Sequence, residues 1–236
     1  MKNLFFKRLL AAALVCTTAF SMNAFAAQKK SSASSTMLFG RFEQDGNPAN
    51  GAEPIEWIVV ANDGTKAMLM SKNILECLPY LHDYANVPWE SSDLRSWMNG
   101  TFYASAFNDA EKAMILDTNN SNPDSSAFFG VGLPGGNPTT DKVFALSVYE
   151  AQQLFGAAPE AVQDWNEKMQ AKPTAYATMR GCWTHPRSGR GFWWLRSAGT
   201  SYGNWVATVQ DHGGVIAHVG NRAGEGARPV MWVKMQ

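Results

Sequence analysis

The pattern of hydrophobic and polar positions predicts strands at both ends of the chain. Near the C-terminus, aromatic and β-branched residues bounded by glycine predict a strand over 191–197. A glycine-containing turn at 211–214 predicts a hairpin of strands 204–210 and 215–219, and 227–233 predicts a closing strand. Near the N-terminus, 38–43 predicts a first strand, and the Asn62-Asp63-Gly64 turn predicts a hairpin of 55–60 and 66–71.

The middle of the chain has the signals of short helices. Ser92 can cap a helix that Asn99-Gly100 should end, and Asn108 with Glu111 resembles a capping arrangement. Ser147 and Glu150 form a capping-box pattern that opens a helix through residue 155, and 159–170 predicts a further helix. The segment 143–146 predicts a buried strand, whereas 117–140 predicts a long loop.

These elements predict an α+β domain spanning residues 37–236. Strands at both ends, with helices and loops between them, favour a fold in which the terminal segments 37–42 and 229–233 pair. Residues 27–36 are Ser, Ala and Lys with nothing to bury, so they predict a flexible leader.

Residues 1–26 have the three parts of a secretory signal, namely a basic start, an apolar run and an Ala-Phe-Ala cleavage pattern. The apolar run is too short to span a bilayer, so we expect a soluble extracytoplasmic protein without membrane insertion. Three of the 20 basic residues and none of the 20 acidic ones lie in this segment, which leaves a net charge of −3. That charge argues against a nucleic-acid partner.

Two cysteines, Cys77 and Cys182, remain after the signal segment. An oxidising compartment favours a disulfide between them. The alternative is two buried free thiols, which behave as small apolar side chains.

Several short motifs in order along the chain resemble an uncharacterised domain family of secreted bacterial proteins. They are FGR (39–41), PIEW (54–57), WExSxLRxWMN (89–99), DKVFxLS (141–147), WLRS (194–197) and RP (228–229). The final block is also similar to the C-type-lectin-like fold of formylglycine-generating enzymes and of the variable proteins of diversity-generating retroelements. That resemblance implies a ligand face built on the last strands. The cysteine pair of the formylglycine-generating enzymes is absent, since only Cys182 lies in that part.

Arg196 and Arg228 lie in apolar surroundings, where a guanidinium needs carboxylate or carbonyl partners. Glu56, Asp93 and Asp141 have similarly apolar neighbours and are candidate partners. A structural network is favoured over a clamp for substrate.

The tryptophans divide into two groups. Trp57, Trp97, Trp194 and Trp232 are most simply core residues. Trp183, Trp193 and Trp205 have polar or glycine neighbours and are candidates for stacking on a sugar ring, with core or rim packing as the alternative.

The predicted ligand face comprises loops 184–190, 199–204 and 220–226. Besides the three tryptophans, its candidate residues are His185, Asp211, His212 and Arg222. The four histidines lack zinc-site spacing, and alternation places His218 on an exposed side. The segment 117–124 offers the hard oxygens that calcium uses, but a solvated loop is the simpler interpretation, so no cofactor is predicted.

The first hypothesis is therefore a non-enzymatic binding module for a glycan or a cell-surface protein. One alternative is a secreted hydrolase that uses Asp211 and Glu225 with an arginine, which requires two carboxyls at about 5–10 Å across a cleft. The other is a structural or assembly module, which predicts an exposed apolar patch.

Overall fold

The computed structural model describes residues 35–83, 85, 88–131, 133–163, 165–199 and 203–235. The signal segment 1–26 and most of the leader, through residue 34, lie outside the described residues. The described residues combine short helices with largely antiparallel sheets, which confirms the α+β class. The first strand already includes Thr36, so the end of the predicted leader is part of the sheet.

The first sheet has four antiparallel strands in the order β1-β2-β3-β11. They are β1 Thr36–Phe42, β2 Glu53–Asn62, β3 Lys66–Ser71 and β11 Val230–Lys234. The predicted β2–β3 hairpin is confirmed. Its turn is held by Asp63, whose Oδ1 accepts the backbone N–H of Thr65 and of Lys66 at 2.9 Å each.

The terminal strands share this sheet but do not pair, so that prediction is wrong. The turn at Asp63 makes β2 and β3 neighbours, which leaves one free edge on each strand. β1 takes the edge of β2, with Met37 opposite Trp57, and β11 takes the edge of β3, with Val230 opposite Met70. The two ends of the domain therefore form opposite edges of one sheet.

The second sheet has five strands in the order β4-β10-β7-β8-β9. They are β4 Glu76–Cys77, β7 Phe192–Ala198, β8 Trp205–Val209, β9 Val215–Val219 and β10 Glu225–Ala227. The predicted β8–β9 hairpin is confirmed. β10 runs parallel to β7, whereas the other neighbours are antiparallel. The chain after β9 must therefore cross the sheet to reach the far side of β7.

The helices are short, and a two-stranded ribbon lies among them. They are α1 Asp93–Trp97, a π-helix Met98–Phe102, α2 Tyr103–Ala106, α3 Asp109–Met114, α4 Ser126–Phe129, α5 Val148–Phe155, α6 Ala175–Met179 and two 3-10 turns, Trp89–Ser91 and Glu167–Met169, with the ribbon strands β5 Thr118–Asn120 and β6 Thr139–Asp141. Both predicted capping boxes are present, at Asn108 with Glu111 and at Ser147 with Glu150. Within the described ranges, no helix has the length and apolar character needed to cross a bilayer.

Long-range hydrogen bonds override three local predictions. The helical backbone continues through Asn99 as the π-helix Met98–Phe102, and the Asn99 amide binds the backbone of Lys142 and Val143 at 2.8 Å each. The helix predicted over 159–170 is not found among its described residues, where only the 3-10 turn Glu167–Met169 is helical. Glu160 N instead binds Val215 O, and Asn166 N binds His212 O. Segment 143–146 is buried but makes a single bridge, from Phe144 to Val230.

The core fills the space between the sheets and the helices. Trp57 and Trp194 are fully buried, as the sequence predicts, and Trp97 and Trp232 pack against the core while half-buried. Both arginines that the sequence placed near the core, Arg196 and Arg228, are buried.

Candidate functional site

The segment that crosses to β10 brings one acidic side chain under the surface. Gly224 has a φ of +107°, a conformation that side-chain-bearing residues rarely adopt. A Cβ on Gly226 would lie 2.2 Å from the side chain of Ile74, so only glycine fits there. The two glycines fix the backbone on either side of Glu225, which lies opposite Phe192 of β7.

Glu225 is 1% exposed, and its two carboxylate oxygens are used unequally. Oε1 accepts a hydrogen bond from His218 Nδ1 at 2.7 Å and forms an ion pair with Arg222 Nε at 3.0 Å. Oε2 is buried and has no hydrogen-bond partner among the residues that the structure describes. A buried carboxylate oxygen without a partner is costly, so it is a position where an external donor would be stabilised.

Aromatic rings extend from this carboxylate to the surface. The rings of Phe192 and His218 lie 5.8 Å apart, those of Trp183 and Phe192 4.7 Å apart, and those of Trp183 and His185 6.1 Å apart. Trp183 is 43% exposed, and its backbone N–H binds Gly224 O at 2.8 Å. We call this group the Glu225 cluster; its members are Trp183, His185, Phe192, His218, Arg222 and Glu225.

The hydrogen bonds fix the tautomers of both histidines. A carboxylate can only accept, so His218 Nδ1 carries a proton toward Glu225. In His185 the roles are reversed, because Nδ1 accepts the backbone N–H of Arg187 at 3.2 Å and of Ser188 at 3.1 Å. In the neutral His185 ring, the proton is therefore on Nε2, which makes that nitrogen a hydrogen-bond donor.

Two thiols lie beneath the cluster, and the predicted disulfide between them is absent. Cys77 and Cys182 are buried and free. Cys77 Sγ lies 3.5 Å from Glu225 O, and Cys182 Sγ lies 3.8 Å from Glu76 O. A hydrogen bond between the two thiols lowers the pKa of Cys77 and raises that of Cys182, so Cys77 is the more acidic of the pair.

Trp193 is not part of any ligand face, which corrects the sequence prediction. It is fully buried, and its indole Nε1 donates to Met169 O at 3.0 Å. Side chains alternate between the two faces of a strand, so its neighbour Phe192 is the β7 residue that points toward the cluster.

The buried arginines have partners other than the predicted ones. Arg196 binds both carboxylate oxygens of Glu150, together with Ala145 O and Asn122. Within the described part of the chain, Arg228 binds only backbone carbonyls and the face of Trp193.

The three predicted carboxylate partners serve elsewhere. Glu56 pairs with Lys72 at 2.7 Å, and Asp93 binds His82. Asp141 is buried and accepts from several side chains, which are Trp89, Arg95, Thr139 and Asn120. The prediction failed because apolar neighbours in the sequence indicate that a carboxylate is near the core, but they do not indicate which cation lies next to it in the fold.

The described parts of the three predicted ligand loops do not meet at one place, and residues 200–202 of the second loop lie outside the described residues. Loop 184–190 precedes the seven-residue strand β7, and residues 199, 203 and 204 follow it, so about 20 Å of strand separates these parts. The segment 220–226 joins the two ends, because Gly220 N binds Asn204 O and Gly224 O accepts from Trp183. Of this segment, Arg222 and Glu225 belong to the Glu225 cluster.

The structure therefore divides the predicted ligand residues. It brings together Trp183, His185 and Arg222, whereas half-buried Trp205 begins β8, opposite Val219. Asp211 and His212 form a separate group in the β8–β9 turn with Glu160, at 3.4 Å contacts. Among the described residues no hydrogen bond or ion pair joins that group to Glu225.

Sequence reasoning missed Phe192 and the role of His218, which it placed on an exposed side. The His218 side chain is only 15% exposed, because the crossing segment covers it and supplies Glu225. The one available signal was the spacing of Arg222 and Glu225, three residues apart between glycines.

Two groups of side-chain oxygens on the described surface have the type of atom that binds cations. In the segment 117–124, which offers hard oxygens, oxygens are engaged by protein groups, since Asp117 pairs with Lys142 and Asn122 Oδ1 accepts from Arg196. A group that the sequence did not predict is Glu43, Asp45 and Glu53, whose oxygens lie within 4.8 Å of one another. These carboxylates accept backbone N–H groups of their own loop, including Gly46 N at 2.7 Å.

Comparison with known proteins gives a family but no function. No curated protein and no solved structure matched the chain. A family model described as a domain of unknown function (DUF6273) matches residues 64–235, from the β2–β3 turn through β11, and it therefore includes every residue of the Glu225 cluster. The chain belongs to the DUF6273 family.

Proposed function

We propose that the protein is a non-enzymatic, extracytoplasmic binding module that takes a carbohydrate at the Glu225 cluster. The observation that carries this proposal is the combination of an exposed indole, Trp183, with a nearby buried carboxylate oxygen, Glu225 Oε2, that has no partner among the described residues. Sugar-binding sites need both an apolar surface and fixed polar groups.

The cluster offers complementary contacts for a sugar. The apolar face of a pyranose ring would stack on Trp183, which Phe192 supports from the side at 4.7 Å. A ring hydroxyl can donate to Glu225 Oε2 and another can accept from His185 Nε2. Because both histidines and the carboxylate are held by hydrogen bonds before binding, little side-chain entropy would be lost on binding.

Features outside the cluster support the same proposal. The signal-like segment 1–26 favours an extracytoplasmic location, and the net charge of −3 on residues 27–236 fits a neutral or cationic ligand better than a nucleic acid. The last strands also resemble the C-type-lectin-like fold, and in that fold the corresponding strands carry the ligand face. This resemblance supports the proposal by analogy.

A glycan array probed with the purified protein tests the proposal. Trp183→Ala should abolish binding to the glycans that the wild type retains, while circular dichroism stays unchanged. Trp165→Ala is the matched control, because Trp165 is 55% exposed and lies outside the cluster. Retention of all binding by Trp183→Ala, or loss on Trp165→Ala alone, would reject the site.

A further inference from the structure

Arg222 lies between Glu225 and the solvent, and few contacts hold its side chain there. Its side chain is 55% exposed, and its only hydrogen bond or ion pair within the described part of the chain is the 3.0 Å contact from Nε to Glu225 Oε1. An ion pair whose cation is half exposed is weakened, because water and salt compete for it. Because Glu225 is buried, Arg222 can leave at a small cost only when another cation takes its place beside the carboxylate.

The groups around Glu225 are suited to a positive charge. The carboxylate has a second oxygen that accepts nothing from the described residues. The faces of aromatic rings attract cations, and the rings of Phe192 and Trp183 lie between His218 and the exposed surface. A neutral hydroxyl would satisfy Oε2, but a protonated amine would satisfy it and also replace the charge of Arg222.

We propose that Arg222 is an internal stand-in for a ligand cation, and that the site takes a sugar with a free, protonated amino group. This inference rests on the proposed carbohydrate function. The ligand ammonium displaces the guanidinium of Arg222 and donates to Glu225 Oε2, while the sugar ring stacks on Trp183. An N-acetylated sugar lacks the charge, so it leaves Arg222 in place and binds less tightly.

The test is calorimetric titration with two probes in weakly acidic buffer. One probe is a β-1,4-linked glucosamine tetramer, and the other is the same tetramer fully N-acetylated. The wild type should bind the free amine at least about 10-fold more tightly, the range expected for a hydrogen bond to a charged group. Arg222→Ala should bind the amine probe roughly 2- to 5-fold more tightly than the wild type, as removal of an exposed competing ion pair predicts.

Two further variants complete the design. Glu225→Gln should lose the preference for the amine, and Arg41→Ala, which removes an exposed arginine on β1 outside the Glu225 cluster, should behave as the wild type. If Glu225→Gln does not fold, the Arg222→Ala comparison still decides, because it leaves the buried carboxylate intact.

The outcomes separate the two proposals. Equal binding of both probes, lost in Trp183→Ala, would overturn the amine inference and leave the carbohydrate function standing. Weaker amine binding by Arg222→Ala would overturn the stand-in role. Absence of binding by both probes, together with an empty glycan array, would overturn both proposals.

Discussion

The guanidinium carbon of Arg228 lies 4.9 Å from the centre of the Trp193 ring, and both side chains are buried. The guanidinium donates to the carbonyls of Ser71 at 3.0 Å, Met169 at 3.3 Å and Lys72 at 3.5 Å. It has no ion pair with any carboxylate of the described residues, and burial lowers its pKa to about 9. The indole face and the carbonyls therefore stand in place of a counter-ion.

Arg228→Lys should destabilise the protein more than Arg228→Met. Lysine keeps a buried charge but loses the planar group that stacks on Trp193 and reaches three carbonyls. Methionine leaves those carbonyls unpaired but removes the charge, so its cost should be about 1–3 kcal/mol. Urea unfolding measures both variants, and a larger loss for Arg228→Met would contradict this account of the pocket.

Glu150→Ala should cost about 3–5 kcal/mol of unfolding free energy, because it leaves Arg196 as a buried charge without its carboxylate. The same carboxylate also accepts Ser147 N at 2.8 Å in the capping box of α5. Ser147→Ala, which removes the cap and leaves the ion pair, should cost only about 1 kcal/mol. Similar losses in the two variants would mean that Glu150 acts mainly as a cap.

Asp141→Asn should destabilise the fold by about 3 kcal/mol or more. Oδ2 of Asp141 accepts from Trp89, Asn120 and Thr139 at 2.7–2.9 Å, and Oδ1 accepts from Arg95 at 2.6 Å. The side-chain NH₂ group of the substituted asparagine would be a donor that faces the donor groups of Asp141's present partners. Thr139→Val removes a single donor and should cost about 1 kcal/mol. If urea unfolding midpoints fall equally in Asp141→Asn and Thr139→Val, Asp141 is not the shared acceptor of the group.

The pair of Asp93 and His82 should contribute to the acid sensitivity of the protein. The backbone N–H of His82, at 2.8 Å, is the main cause that lowers the pKa of Asp93. A lowered folded-state pKa means that this stabilisation is complete above the unfolded value of about 3.9 and is lost as the pH falls through the folded value.

Melting temperatures between about pH 5 and pH 3 test this sign. The wild type should lose more of its melting temperature than Asp93→Asn over that interval, because the amide does not titrate. Parallel curves for the two proteins would show that the Asp93 contact is not linked to folding.

Local chemistry accounts for the elements that the sequence predicted well. The turn at Asp63 and the capping boxes at Asn108 and Ser147 use side chains within three residues of the backbone that they bind, so their signals are present in any short window. Strand order is different. The residues next to Val230 in the sequence do not specify that β11 pairs with β3 and not with β1. That pairing depends on which strand edges the β2–β3 hairpin leaves free.

The candidate site was half predictable for the same reason. Trp183, His185 and Arg222 have polar neighbours that indicate exposure, and all three lie in the cluster. The burial of Glu225 and its contact with His218 depend on a segment that crosses two strands to reach β10. Alternation along β9 alone places His218 in solvent, because it does not include that covering segment.

Titration of the ¹⁵N-labelled protein with an array-positive glycan tests the central claim most directly. The account predicts that the indole Nε1–H resonance of Trp183 and the backbone amides of Gly224 and Glu225 shift together and saturate with the affinity measured by calorimetry. Saturable shifts at Trp165 and Gly213, with the Trp183 indole unchanged, would contradict it and place the ligand elsewhere on the molecule.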